Sequence, residues 1–211
     1  VNTVSVILVV KNAAGFIDGA IRQLTELKTA GLARIDVVAV DGGSTDGTFE
    51  KLLAESTWRV VRQLSTGLAS ARNEALAIAT GDFIAFRDVD DEWLPGKLES
   101  QVDTMTARPD IDVVTGLVQR IEGNESVGEP VAGWTPSACL FRRRAFDIIG
   151  RFDPQYRIAC DHDWFVRARR ASLPMICLPD CHLLKHVHAG NLSNDRATYR
   201  KELLRVMRTN G

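Results

Sequence analysis

Residues 81–93, GDFIAFRDVDDEW, join an apolar run, Phe83 to Phe86, to four carboxylates around a single valine: Asp88, Asp90, Asp91 and Glu92. Like charges this close repel, so their place at the end of a buried strand needs a cause. The surroundings supply one. Val4 to Val10 (VSVILVV) is a continuous β-branched run, the pattern of a strand covered on both faces. Phe16, Ile17, Ala20, Ile21, Leu24 and Leu27 fall near helical spacing, with Gly31 as the stop. Ile35 to Val40 predicts a second strand. It runs into the Gly-rich turn DGGSTDGT (41–48) and a helix from about Thr45, capped by Ser44 or Thr45. WRVVRQL (58–64) predicts a third strand, LASARNEALAIA (68–79) a helix closed by Gly81, and FIAFRD (83–88) a fourth strand.

Strand and helix thus alternate over the first ninety residues, which predicts an α/β fold with a doubly wound, mostly parallel sheet. In such sheets ligands bind beyond the carboxyl ends of the strands. Asp41 and Asp88 stand at two of those ends, so the acids lie where a ligand belongs.

The remainder is less regular. LPGKLESQVDTMTA (94–107) reads as a helix opening near Pro95, IDVVTGLVQRIEG (111–123) as a strand, and GNESVGEP (123–130) as a polar turn. ACLFRRRAFDIIGRF (138–152) reads as a short strand turning into a helix, and DHDWFVRARRAS (161–172) as a helix. PMICLP (174–179) and HLLKHVHAG (182–190) read as two short strands, and the tail from Asp195 as helix. No repeat or linker interrupts the chain, so a single domain over 1–211 is expected.

The 211 residues carry 26 Lys and Arg against 27 Asp and Glu. That balance gives no reason to expect nucleic acid as a partner. No apolar run is long enough to span a bilayer and no signal peptide is visible, so a cytoplasmic protein is expected. Four cysteines are too few and scattered for a disulfide framework. Cys177 and Cys181 lie near His182, His186 and His188, but their spacing matches no common zinc pattern.

Asp88 and Asp90, with one residue between them, can share a divalent cation; Mg²⁺ and Mn²⁺ prefer such oxygen donors and complete their shell with phosphates. An acidic helix start before Leu94 would account for Asp91 and Glu92, not for Asp88 and Asp90. The turn at 41–48 is neither a Walker loop nor a dinucleotide fingerprint.

Together these segments resemble the inverting family 2 glycosyltransferases, which have the nucleotide-sugar-binding fold called GT-A. VSVILVVKNAAGFIDGAI is similar to the family's opening strand and helix, and VVAVDGGSTDGT to its Asp-Asp-Gly-Ser-Thr-Asp turn. GLASARNEALAIATGDFIAFRDVDDEWLPGKLE resembles its Arg-Asn helix and Asp-X-Asp strand end. CLFRRRAFDIIGRFD is similar to its acceptor-side segment, and YRIACDHDWFVRA to the one with the catalytic base.

The resemblance implies a nucleotide-binding half, about 1–95, and an acceptor-binding half, about 96–211. It also implies a nucleotide-diphosphate sugar donor and an acceptor hydroxyl on a glycan, a lipid-linked sugar or a small molecule. Mn²⁺ or Mg²⁺ is implied at Asp90, with Asp88 on the metal through water or on the ribose. Lys11, Asp41, Arg72 and Asp88 are implied on the nucleotide and Asp161 as general base, with Asp163 as its alternative. Two departures stand out: Gly42 replaces the acid expected to read uracil, and Lys11 stands where relatives have tyrosine. His186 and His188 are candidates for a lid over the site, and Trp93, Trp134 and Trp164 for walls against a sugar ring. Peripheral association with the inner face of the membrane is compatible with this reading. The competing readings are an inactive nucleotide-sugar-binding regulatory module and a phosphoacceptor receiver domain; a receiver leaves the Asp161 segment unexplained.

Overall fold

A computed structural model describes residues 2–29 and 34–209. Gly31, the expected stop of the first helix, lies outside them. The four strands of the alternating region are β1 (Thr3–Val10), β2 (Arg34–Asp41), β3 (Arg59–Arg62) and β4 (Phe83–Arg87). They pair in parallel in the order β3-β2-β1-β4. The intervening helices are α1 (Ile17–Thr29), α2 (Thr48–Leu53) and α3 (Leu68–Ile78). Gly81 lets β4 start against β1: a Cβ there would stand 2.5 Å from the Ser5 nitrogen.

β5 (Glu92–Trp93) and α4 (Lys97–Ala107) follow, then β6 (Val113–Glu122), β7 (Glu125–Ala132), β8 (Leu140–Arg142) and α5 (Arg144–Ile149). The chain closes with α6 (Cys160–Arg170), β9 (Met175–Val187) and α7 (Arg196–Thr209). β8 is antiparallel between β4 and β6, β9 runs parallel to β6, and β5 and β7 add antiparallel edges. The sheet is therefore mixed, with its long parallel block in the first half.

Each face of the sheet carries its own core. Ile17, Ala20 and Leu24 of α1, Leu52 of α2, and Leu98, Val102 and Met105 of α4 cover one face. α3, α5, α6 and Val206 of α7 cover the other, around Phe86, Phe141, Phe146, Phe152 and Trp164. These rings meet mostly edge-on or tilted, with centroids 5.3–6.4 Å apart. Such arrangements add to the area term that drives burial.

Several local expectations are corrected. α2 begins at Thr48 rather than near Thr45, because Ser44 is committed elsewhere and accepts from the Asn12 amide at 2.8 Å. Residues 125–130 are strand, not turn; β6 and β7 form a hairpin in which Glu122 pairs Glu125, and a polar sequence suits a strand exposed on its outer side. The two late strands are one, β9, which crosses Pro179 by register shifts against β6. Asp91 and Glu92 do not start a helix, since Glu92 and Trp93 pair with Leu184 and Leu183.

Candidate active site

β4 delivers Asp88 to Asp91 at its carboxyl end, and cations and hydrogen-bond donors meet them. Arg72, on α3, is buried, with its guanidinium near the Phe86 and Phe152 rings at 5.6 and 5.3 Å. One of its nitrogens donates to Asp161 Oδ1 and the other to Asp88 Oδ1 at 3.5 Å. Burial alone would lower the Arg72 pKa, but Asp161 and Asp88 outweigh it and keep the group charged. Arg87, also buried, donates to the Asp88 carbonyl and to Gln23.

Asp90 Oδ2 contacts His188 Nε2 at 3.0 Å and accepts from Asn191 Nδ2 at 3.2 Å. The Gly190 amide donates to His188 Nδ1, so Nε2 is the nitrogen that carries the proton toward Asp90. Phe16 stacks on the His188 ring at 5.3 Å. Asp91 is buried and accepts from Lys185 Nζ (3.4 Å) and the His186 amide (3.2 Å). Burial pushes Asp91 up, to about 7, with Asp88 and Asp90 adding to the push and Lys185 opposing it. The His186 ring faces Glu92 at 4.0 Å instead. Of the two candidate lid histidines, only His188 reaches Asp90.

Asp161 sits in the first turn of α6 and keeps 20 % side-chain exposure; Asp88 and Asp90 keep 26 % each. All three line one cleft of about 330 Å³ together with Arg72, Lys185 and Asn191. Asp163, the alternative base, is buried in an ion pair with Arg167 at 2.9 Å and faces the core side of α6. Trp93 and Trp164 are core residues whose indole nitrogens donate to Ser137 and Gly150 carbonyls. Trp134 packs on Phe165 under Arg169. None of the three tryptophans lines the cleft.

At the end of β2, Asp41 is fully buried. Its Oδ2 accepts from the Gly43 and Ser44 amides at 3.1 and 3.0 Å and from Arg62, while Oδ1 has no partner among the described residues. Lys11 is exposed beside Gly42; a Cβ at Gly42 would lie 3.4 Å from the Lys11 Cβ and 3.2 Å from Gln63 Oε1. The site also contains Lys185, Arg87, His162 and Tyr199, which sequence reasoning did not single out. Arg87 alone carried a signal, its place next to Asp88.

The family model for Glycosyl transferase family 2 matches residues 5–173. The chain belongs to that family. The β-1,3-glucosyltransferase WfgD of Escherichia coli, named for UDP-Glc and α-D-GlcNAc-diphosphoundecaprenol, is 36 % identical over 132 residues, 61 % of this chain. The match spans about half (51 %) of WfgD. Staphylococcus aureus TarS (residues 1–349) with UDP-GlcNAc superposes on 99 % of this family 2 chain and 65 % of TarS, with a TM-score of 0.80 at 20 % identity. Glucosyl-3-phosphoglycerate synthase of Mycobacterium tuberculosis, in complex with Mn²⁺, UDP-glucose and phosphoglyceric acid, superposes on 99 % of the chain and 79 % of its own, with a TM-score of 0.75 at 18 % identity. The fold is the GT-A fold expected for the family.

Proposed function

We propose that this family 2 chain moves a sugar from a nucleotide-diphosphate sugar to an acceptor hydroxyl with inversion, Asp161 acting as general base. One observation carries the reading. A single buried guanidinium, Arg72, bonds both the acid that ends β4 and the acid that opens α6. Donor-side and acceptor-side carboxylates are thereby fixed in one cleft. In the reaction Asp161 takes the acceptor proton as the oxygen attacks the anomeric carbon, and the nucleotide diphosphate departs from the opposite face. Arg72 is then a holder of carboxylates rather than the nucleotide contact implied by the family resemblance. Lys11 and Asp41 remain the residues proposed to meet the nucleotide.

Asp88 and Asp90 fit a hard divalent cation: two carboxylates, one residue apart, partly exposed toward the same space. Among the described residues no group of three or more His, Cys, Asp or Glu side chains is arranged to hold a metal. Mn²⁺ or Mg²⁺ held here would take the rest of its shell from donor phosphates and water, and would offset charge on the leaving diphosphate. The loop 188–191, with His188 and Asn191 on Asp90, acts as the lid.

WfgD and TarS favour a UDP-sugar as donor. WfgD also favours a lipid-linked sugar as acceptor, and peripheral association with the inner face of the membrane accords with that reading. No helix of the described residues is long and apolar enough to cross a membrane.

The test is a thermal-shift titration with UDP, GDP and TDP, with Mn²⁺ or EDTA. A preferred diphosphate raises the melting temperature by mass action only when Mn²⁺ is present. Asp90→Ala loses that dependence, by at least the ~10–100-fold in metal affinity that outer-shell changes cost. Equal affinity in EDTA and Mn²⁺ for the parent would sink the metal assignment. Failure of any nucleotide-sugar to release its diphosphate would sink the transferase.

A further inference from the structure

The family model ends at residue 173, yet α7 (Arg196–Thr209) reaches the cleft. Two of its side chains meet the segment around Asp161 by different means. Glu202 accepts three successive backbone N–H groups, from Arg157 (2.9 Å), Ile158 (2.9 Å) and Ala159 (2.8 Å). These are the residues that lead into the first turn of α6, so the carboxylate anchors α7 to the segment presenting Asp161. One turn earlier, the Tyr199 hydroxyl lies 3.2 Å from His162 Nε2, and the two rings meet edge-on with centroids 5.6 Å apart. His162 follows Asp161 in the chain. Asp161, His162 and Tyr199 all line the 330 Å³ cleft.

We propose that His162 and Tyr199 form the acceptor subsite, binding the pyranose of a sugar acceptor and holding its hydroxyl against Asp161. This rests on the glycosyl-transfer reading above. The chemistry of the pair matches a sugar hydroxyl, which both donates and accepts. If Tyr199 donates to Nε2, the pair keeps the His162 Nδ1–H as donor and the phenol oxygen as acceptor. If Nε2–H donates to Tyr199, the phenol keeps its own proton and Nδ1 becomes the acceptor. Either tautomer offers one of each. The phenol ring adds an apolar surface beside a polar edge, which suits the C–H face of a pyranose. Partial desolvation draws His162 below the ordinary imidazole value despite Asp161, which favours the neutral ring.

Other features of the molecule do not compete. The larger cleft of about 610 Å³, behind the acidic turn, is lined by charges of both signs and selects no ligand class. The β7 edge carries exposed Val127 and Val131, and nothing in the structure shows what covers them.

The experiment follows UDP release from UDP-glucose against rising methyl α-glucoside and methyl α-N-acetylglucosaminide, in parallel with calorimetric UDP binding in Mn²⁺. Tyr199→Phe and His162→Ala are expected to raise the glycoside KM by about tenfold, the value of one hydrogen bond at the upper end. The KM should rise far more than kcat falls, and UDP affinity should stay at the parental value. His162→Gln keeps a donor and an acceptor and should recover most of the KM. Unchanged glycoside KM in both variants overturns the assignment, as does a loss that appears in UDP affinity instead. A folded parent that releases no UDP with either glycoside would overturn transfer from UDP-glucose to a pyranose, and this subsite with it.

Discussion

From β1 to β4, each strand follows the same rule: it runs parallel to its neighbour, a helix returns the chain, and the carboxyl ends line up on one edge. Asp41 and Asp88 stand on that edge because the rule puts strand ends there. From α4 onward the rule lapses. β8 runs antiparallel, β7 folds back on β6, and β9 is one long strand with shifted register. Yet this second region supplies what the acids need. Lys185 meets Asp91, His188 and Asn191 meet Asp90, and Asp161 shares Arg72 with Asp88. The contrast teaches that a regular half can place charge and balance part of it with Arg72 and Arg87, while the irregular half supplies the partners of Asp90 and Asp91. Repulsion at Asp90 and Asp91 is offset by Lys185, His188 and Asn191, roughly ninety to a hundred residues away in the chain.

The sharpest way to separate the two regions is at Asp161. Asp161→Asn keeps size but cannot take a proton, so turnover should fall about a hundred- to ten-thousand-fold with UDP affinity little changed. Asp163→Asn, facing Arg167, should lower stability more than turnover. If the two variants exchange these effects, the proposal of Asp161 as the base fails.

Breaking the joint between the regions comes next. Arg72→Met leaves Asp88 and Asp161 without their shared cation. The loss should be about 2–4 kcal/mol of unfolding free energy in urea, below the usual 3–5 for a buried pair because both acids keep some exposure. An unchanged denaturation midpoint would mean the halves do not depend on this contact.

A smaller effect tests the second region alone. Lys97 is buried against the Trp93 ring at 4.3 Å, with Gln101 as its hydrogen-bond partner at 2.9 Å, and burial pulls its pKa down to about 7. The unfolded chain binds this proton up to about pH 10.4. Folding therefore releases it between those values, and this contribution to stability rises with pH from about 7 toward 10. Lys97→Met should melt higher than the parent at pH 6, by a margin that shrinks as pH rises. A margin that stays flat with pH would contradict the burial argument.

The smallest expected change is at Gly42 in the first region. Gly42 does not need the left-handed backbone, so Gly42→Asp is tolerated if Gln63 yields a few tenths of an ångström. UDP preference over GDP and TDP should then sharpen by a few fold, the scale of one added hydrogen bond. A strong native UDP preference that this change leaves untouched would direct base recognition to Asp41 and Lys11.

Read alone, the sequence determined the alternating half almost residue by residue, and with it the edge where the acids collect. Apolar runs of β-branched residues and helix-spaced stripes are local signals, and a parallel sheet follows from their order. It also carried enough of the family's motifs to place Asp88, Asp90, Arg72 and Asp161 in one site. Tertiary structure alone decided the pairings. Nothing local says that Arg72 faces Asp161 rather than solvent, or that Trp164 is core rather than a wall, because a helix's buried face depends on what packs against it. Nor does the tail's pattern say that Tyr199 and Glu202 reach back to α6. Side chains so far apart in sequence meet only once the sheet is closed, since the free energy that joins them is shared among partners the chain has not yet brought together.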